Sequence, residues 1–207
     1  QIAAIIQQTT LISNKKEFES NFSSLLYRKM FSYGYLVLVK EMNLYREANL
    51  LQGKTDEEQF SYFCTELITS SEFLEVLNKE YPIFLAELTK IVESSVCYLA
   101  EVISNTEKNA KQLEQHFSLK IDQSLREVQF MGDAHSGGKS VCILIFNTGK
   151  LIYKPKSLKL ESKFQELITY LNKQIPDTPL YEMNIFTNDT HGWCEFISHE
   201  RCRTIDE

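Results

Sequence analysis

The chain has 207 residues, 43% of them apolar and 24% charged, which is enough to bury a core in one large or two small domains. Its formal charge of −6 argues against a nucleic-acid binder driven by phosphate neutralisation. No apolar run reaches the roughly 18 residues that a membrane-spanning helix needs.

Cys64, Cys97, Cys142, Cys194 and Cys202 are odd in number and scattered, and no secretory signal precedes them. That usage predicts reduced thiols and a cytoplasmic protein. A chain that opens on Gln1 and stops at Glu207 without a terminating signal is expected to be a piece of something longer.

Residues 1–117 read as a helical block. Asn14 and Glu17 have the spacing of a capping box, and Phe18, Phe22, Leu25, Leu26 and Met30 follow at helical intervals. Thr55 and Glu58 repeat the capping spacing, with Asp56 and Glu57 adding acid where the helix dipole favours it. Pro82 opens a third helix, with Leu85, Leu88, Val92, Leu99 and Val102 along one side. The aromatics Tyr33, Tyr35, Tyr45, Tyr62, Phe63, Phe73, Tyr81 and Phe84 are spaced for a packed core. A groove for a partner helix or peptide is the alternative use of the same face. His116 has no chemical neighbours in the sequence and reads as structural or surface.

From residue 118 the pattern changes. Leu119–Ile121 and Leu125–Phe130 are short extended candidates, and Ser140–Phe146 is β-branched and apolar up to Asn147-Thr-Gly149. Lys150–Lys154 then resumes a strand, so the pair reads as a hairpin. Leu160, Phe164, Leu167, Ile168 and Leu171 mark a helix that Pro176 to Pro179 break. Leu180–Phe186 and Trp193–Ile197 follow as two more strands. The predicted order is strand, glycine-rich loop, strand, strand, helix, strand, strand.

The segment Gly132-Asp-Ala-His-Ser-Gly-Gly-Lys-Ser140 looks like an ATPase phosphate loop with Asp133 in the place of the first glycine. A true phosphate loop delivers its lysine from a helix N-terminus. The residues after Lys139 instead predict a strand, so that reading fails on context. A kinase arrangement fits better: a glycine-rich turn at Gly137 and Gly138 between the first two strands, and a lysine on the third strand. Lys154 lies sixteen residues after Gly138, and the following helix offers Glu161 or Glu166 as its partner. Glycines let backbone N–H groups approach phosphate oxygens, and a lysine on a rigid strand adds a point charge.

Gly132-Asp-Ala-His135, Gly138-Lys-Ser-Val141, Tyr153-Lys-Pro-Lys-Ser-Leu158, Phe164 to Asn172 and Gly192-Trp-Cys-Glu-Phe196 occur in an order that resembles the dehydratase domain of class II lanthipeptide synthetases, the LanM family. The resemblance is specific for residues 130–197 and rests on helical character alone for 1–117. It implies an α+β fold: a helical subdomain over 1–117 and a lipid-kinase-like N-lobe over 118–207, with the C-lobe and cyclase domain absent. It implies a cytoplasmic enzyme that uses ATP and Mg²⁺ to phosphorylate Ser and Thr of a leader-bearing precursor peptide and then eliminates the phosphate, leaving dehydroalanine or dehydrobutyrine.

Carried over by motif, Asp133 and His135 are the catalytic candidates, Lys154 is the ATP-phosphate lysine, and Gly137, Gly138, Lys139, Lys156 and Glu166 complete the cofactor set. Elimination needs an α-proton removed and a departing phosphate stabilised, chemistry that imidazole suits. The resemblance also implies an association with a peptide exporter, with Zn²⁺ expected only in the absent cyclase domain. Lys139 and Lys156 stand where the family has arginine, which keeps the charge and loses the two-pronged grip on phosphate.

Two further readings stay open: an ordinary kinase lobe, and a non-catalytic leader-binding module. Cys194, His199 and Cys202 lack a CxxC half-site and are not read as a zinc centre. Trp193 and Phe196 are expected to pack under the sheet. Residues 1–207 alone are expected to lack dehydratase activity, because a complete kinase site needs further metal-binding and catalytic-loop residues.

Overall fold

The computed structural model describes residues 2–135 and 137–198, apart from the side chains of Ala134 and His135. The chain divides into two compact units, one of residues 1–23 with 96–207 and the other of residues 24–95.

Helices α1 (Ile2–Gln8), α2 (Lys15–Glu47), α3 (Asp56–Tyr62), α4 (Ser71–Glu80), α5 (Pro82–Lys108) and α6 (Ala110–Phe117) form the N-terminal block. The caps are where the sequence puts them. Glu17 N–H donates to Asn14 Oδ1 while the Asn14 amide reaches Glu17 Oε2. Thr55 and Glu58 form a reciprocal capping box at the start of α3. A π-helical turn, Phe63–Leu67, continues α3 and is a feature that the periodicity did not announce.

In the unit of residues 24–95, Leu51, Phe63, Phe73 and Leu77 form a buried cluster, with Tyr45 and Phe63 both packing rings against Phe73. The expectation that all the block's aromatics sit in a core needs correction. Tyr33 and Tyr35 are 47% and 43% exposed, and Tyr33 stacks on Phe84. Their spacing is helical, but their face of α2 is only partly covered.

The other unit is built on a five-stranded antiparallel sheet of order β1-β2-β3-β5-β4. Its strands are β1 (Leu125–His135), β2 (Lys139–Phe146), β3 (Gly149–Lys154), β4 (Ile185–Thr187) and β5 (Gly192–Glu195), with α7 (Lys159–Asn172) between β3 and β4. The protein is therefore α+β, with a helical block followed by an antiparallel sheet.

Several boundaries differ from expectation. Residues 119–121 form no strand, β1 runs five residues beyond Phe130, and β4 begins only at Ile185. Leu180 and Tyr181 are exposed, and Asn172 caps this stretch by bonding both the N–H and the carbonyl of Leu180. Backbone groups satisfied by a side chain do not need a neighbouring strand.

Strand β2 alternates buried and half-buried residues, so Ser140, Cys142, Leu144 and Phe146 share the covered face. Tyr98 of α5 packs its ring against Phe130 and Tyr153 there, and Phe22 of α2 meets Phe130 edge-on. Trp193 is fully buried between Tyr153, Phe186 and His191, as its packing role required. Phe196 is only half-buried, with the Lys150 ammonium 5.0 Å from its ring centre. His116 lies edge-on to Phe117 and Phe186 and is structural.

Candidate functional site

Local geometry at the β1–β2 hairpin follows from its glycines. Gly132, Gly137 and Gly138 all have positive φ, at +67°, +84° and +88°. That region strains any residue with a Cβ. Gly137 and Gly138 form the turn before β2, and Lys139 opens a strand, not a helix, so the phosphate-loop reading is excluded by the fold as well as by Asp133.

The two strands also differ in length across the hairpin. Met131 pairs with Val141 and His135 pairs with Lys139, so β1 takes four steps where β2 takes two. The excess bows out as a bulge that holds Gly132 and Asp133. Bulges of this kind re-aim side chains next to functional sites.

The bulge borders a cleft of about 420 Å³. Met131, Gly132 and Asp133 line it from β1, and Lys139, Ser140 and Val141 from β2. The third wall is Lys154, Pro155 and Lys156 at the end of β3. The volume suits a small-molecule ligand.

The three lysines differ in their partners. Lys139 Nζ lies 2.6 Å from Glu101 Oε2 and 2.8 Å from Oε1. Lys156 Nζ lies 2.7 Å from Glu161 Oε1. Lys154 forms no ion pair among the described residues. The Glu161 carboxyl is held below the usual carboxylate range, chiefly by its bond to Lys156, with Lys154 adding a weaker pull. Glu166 points elsewhere: its carboxylate takes Lys163 at 2.7 and 2.9 Å.

Among the described residues the sequence-predicted set is thus brought together in Asp133, Lys139, Lys154 and Lys156, with Gly137 and Gly138 in the adjoining turn. His135 ends β1 opposite Lys139, and its side chain lies outside the described residues. His199 and Cys202 lie outside them too, and no cluster of three metal-binding side chains occurs among the described residues. Among the described residues, Asp133 is the one carboxylate lining the cleft.

Sequence reasoning missed two members. Ser140 lines the cleft at 5% exposure; its carbonyl accepts from the Tyr98 hydroxyl, and its own hydroxyl has no partner among the described residues. Glu101 holds Lys139 from α5, thirty-eight residues away in sequence, and no local pattern signals such a pair. Burial and the neighbouring Cys142 raise the Tyr98 phenol far above its ordinary value, so it is a permanent donor.

A second concavity, of about 850 Å³, lies in the unit of residues 24–95. Tyr27, Phe31, Leu74, Phe84, Leu88 and Val92 are among the residues that line it. It is strongly apolar and carries one acid, Glu93.

The family profile described as "Domain of unknown function (DUF4135)" matches residues 81–207. The lacticin 481/lactococcin biosynthesis protein LcnDR2 of Lactococcus lactis subsp. lactis is 27% identical over 178 residues. That alignment covers 82% of this chain and 19% of the relative, so the chain spans about a fifth of that protein's length. No helix among the described residues is long and apolar enough to cross a membrane. The family match takes in the whole cleft and Glu101 behind it, and the chain belongs to the DUF4135 family, the domain associated with the class II lanthipeptide synthetases, LanM.

Proposed function

We propose that the cleft is the polyphosphate-binding site of a kinase-like lobe in a lanthipeptide synthetase dehydratase. The observation that carries this reading is Lys154, a strand lysine with no ion-pair partner among the described residues, which lines a cleft together with two further lysines and the strands that the glycine turn joins. The antiparallel order β1-β2-β3-β5-β4, with α7 inserted after β3, supports it by supplying the strand lysine and the helix behind it.

ATP fits the charges of this cleft: among the described residues three lysines line it against one carboxylate, Asp133. Bound there with Mg²⁺, it would supply the phosphoryl group for Ser and Thr of a precursor peptide. Lys154 binds and orients phosphate oxygens, the turn at Gly137 and Gly138 offers backbone donors, and Lys139 and Lys156, each paired with a carboxylate, border the cleft as secondary contacts. Among the described residues Asp133 is the carboxylate that lines the cleft and would offer an oxygen ligand to Mg²⁺, which would offset phosphate charge there. Asp133, which lines the cleft, and His135, two residues further along β1, are the groups proposed to move the α-proton and assist phosphate departure in the elimination.

The test is mass spectrometry of a Ser/Thr/Cys-rich precursor peptide incubated with ATP, Mg²⁺ and a synthetase carrying this chain. Loss of water with the wild type and retained phosphate with His135→Ala is the expected pair of results. Retained phosphate in both would identify an ordinary kinase lobe. The apolar groove of residues 24–95 favours one further reading, a leader-binding module without catalysis. That reading predicts leader binding and no ATP turnover by the same protein.

A further inference from the structure

Three side chains of α5 reach the strands that carry the cleft's lysines. Tyr98, Glu101 and Asn105 are three and four residues apart, which puts them on one helix face. The Tyr98 hydroxyl donates to the carbonyl of Ser140, the neighbour of Lys139. Lys139 Nζ donates to both oxygens of Glu101, at 2.6 and 2.8 Å. The Asn105 amide donates to the Tyr153 hydroxyl at 2.9 Å, one residue before Lys154. Around these links α5 is anchored, with Leu99, Val102 and Ile103 buried.

We infer that Glu101 is a positioning residue for the cleft: it holds the Lys139 ammonium at the rim, oriented for a polyphosphate oxygen. The inference rests on the polyphosphate reading above. Lys139 directly follows two glycines of positive φ, its side chain is 39% exposed, and its ammonium bonds Glu101 at both oxygens. An ammonium has three donors; Glu101 engages its two oxygens and leaves a donor for a ligand. The pair is partly solvated, so water screens the carboxylate's repulsion of an incoming anion, while the direction imposed by the two short bonds remains. Holding the stem in advance removes an ordering cost that the ligand would otherwise bear.

The experiment is calorimetric titration of the full chain with inorganic tripolyphosphate, and separately with ATP and Mg²⁺. Glu101→Ala is expected to weaken tripolyphosphate binding about three- to tenfold, the range expected for immobilising one long side chain. Lys139→Ala should weaken it at least as much, and the double variant no further than Lys139→Ala alone, because Glu101 acts only through Lys139. The pair Glu101→Asp with Lys139→Arg, shortened on one side and lengthened on the other, should return affinity to within about twofold of wild type. Far-UV circular dichroism checks that each variant folds, and Glu101→Gln replaces Glu101→Ala if the smaller residue does not. Unchanged or tighter binding by the Glu101 variant, or losses that simply add, overturn the role of Glu101 and leave the cleft standing. A wild-type chain that binds neither probe overturns the polyphosphate reading and this inference with it.

Discussion

The Lys156 ammonium lies 2.7 Å from Glu161 Oε1, so the carboxylate in the first turn of α7 is engaged by the lysine two residues beyond Lys154. The cleft therefore holds one lysine without an ion pair among the described residues, flanked by two whose charges are already offset.

That difference predicts an order of effects. In a synthetase carrying this chain, Lys154→Met should lower the rate of peptide phosphorylation by about 10²- to 10³-fold, as loss of a central electrostatic contact does. Lys156→Met should cost far less. Single-turnover assays with labelled ATP check both, and equal effects would contradict the assignment of Lys154 as the principal contact.

The bulge makes a separate prediction. A Cβ on Gly132 would meet nothing within 4 Å, so Gly132→Ala introduces no clash and only the strain of φ at +67°. The cost should be about 1 kcal/mol by urea denaturation. If the bulge aims Asp133, the same variant should slow elimination more than phosphorylation and let phosphorylated peptide accumulate. Equal slowing of both steps would separate the bulge from the elimination chemistry.

Gly192 is constrained by space. A Cβ there would sit 2.8 Å from Leu158 Cδ1 and 3.0 Å from the Phe186 carbonyl oxygen. Leu158 is buried at the N-terminus of α7, and its N–H donates to Thr187 Oγ1 at 2.8 Å. Gly192→Ala should therefore destabilise the sheet unit by about 1–3 kcal/mol, measured by chemical denaturation. Wild-type stability in that variant would mean that Leu158 repacks freely.

His191 predicts a pH dependence of stability. Its ring stacks on Tyr153, meets Trp193 edge-on and touches Asn188 and Thr190 at 3.2 and 3.0 Å. Burial lowers its pKa below the ordinary histidine value; Glu101 opposes that shift and Lys108 adds to it. The unfolded chain then takes up this proton at a higher pH than the folded one, so stability is full above about 6.5 and falls as pH drops towards the folded value. Thermal midpoints measured through that window should decline in the wild type and lose this component in His191→Gln. An identical decline in the variant would assign it to other groups.

Much of the fold was legible in the sequence where the signal is local. Asn14 with Glu17 and Thr55 with Glu58 each mark a helix start because a cap is completed within four residues, and Pro82 marks one because its fixed φ suits the first helical position. The hairpin of β2 and β3 was legible from β-branched residues around a turn, and Lys154 from its place on that strand. What escaped depends on distant partners. Tyr33 and Tyr35 have core-like spacing, yet no element covers them fully. Leu180 to Asn184 has strand composition, but Asn172 and Glu195 already bond its backbone. Glu101 carries no local signal, because the lysine that it pairs with is far along the chain.

The four-against-two step count between Met131–His135 and Lys139–Val141 also restricts how this segment can change in length. Losing one residue from the longer side would turn everything beyond it to the opposite face of the sheet, because side chains alternate with a period of two. Losing two would restore an even ladder and erase the outward bow at Asp133. A change in the length of this stretch therefore either inverts the strand or flattens the rim of the cleft.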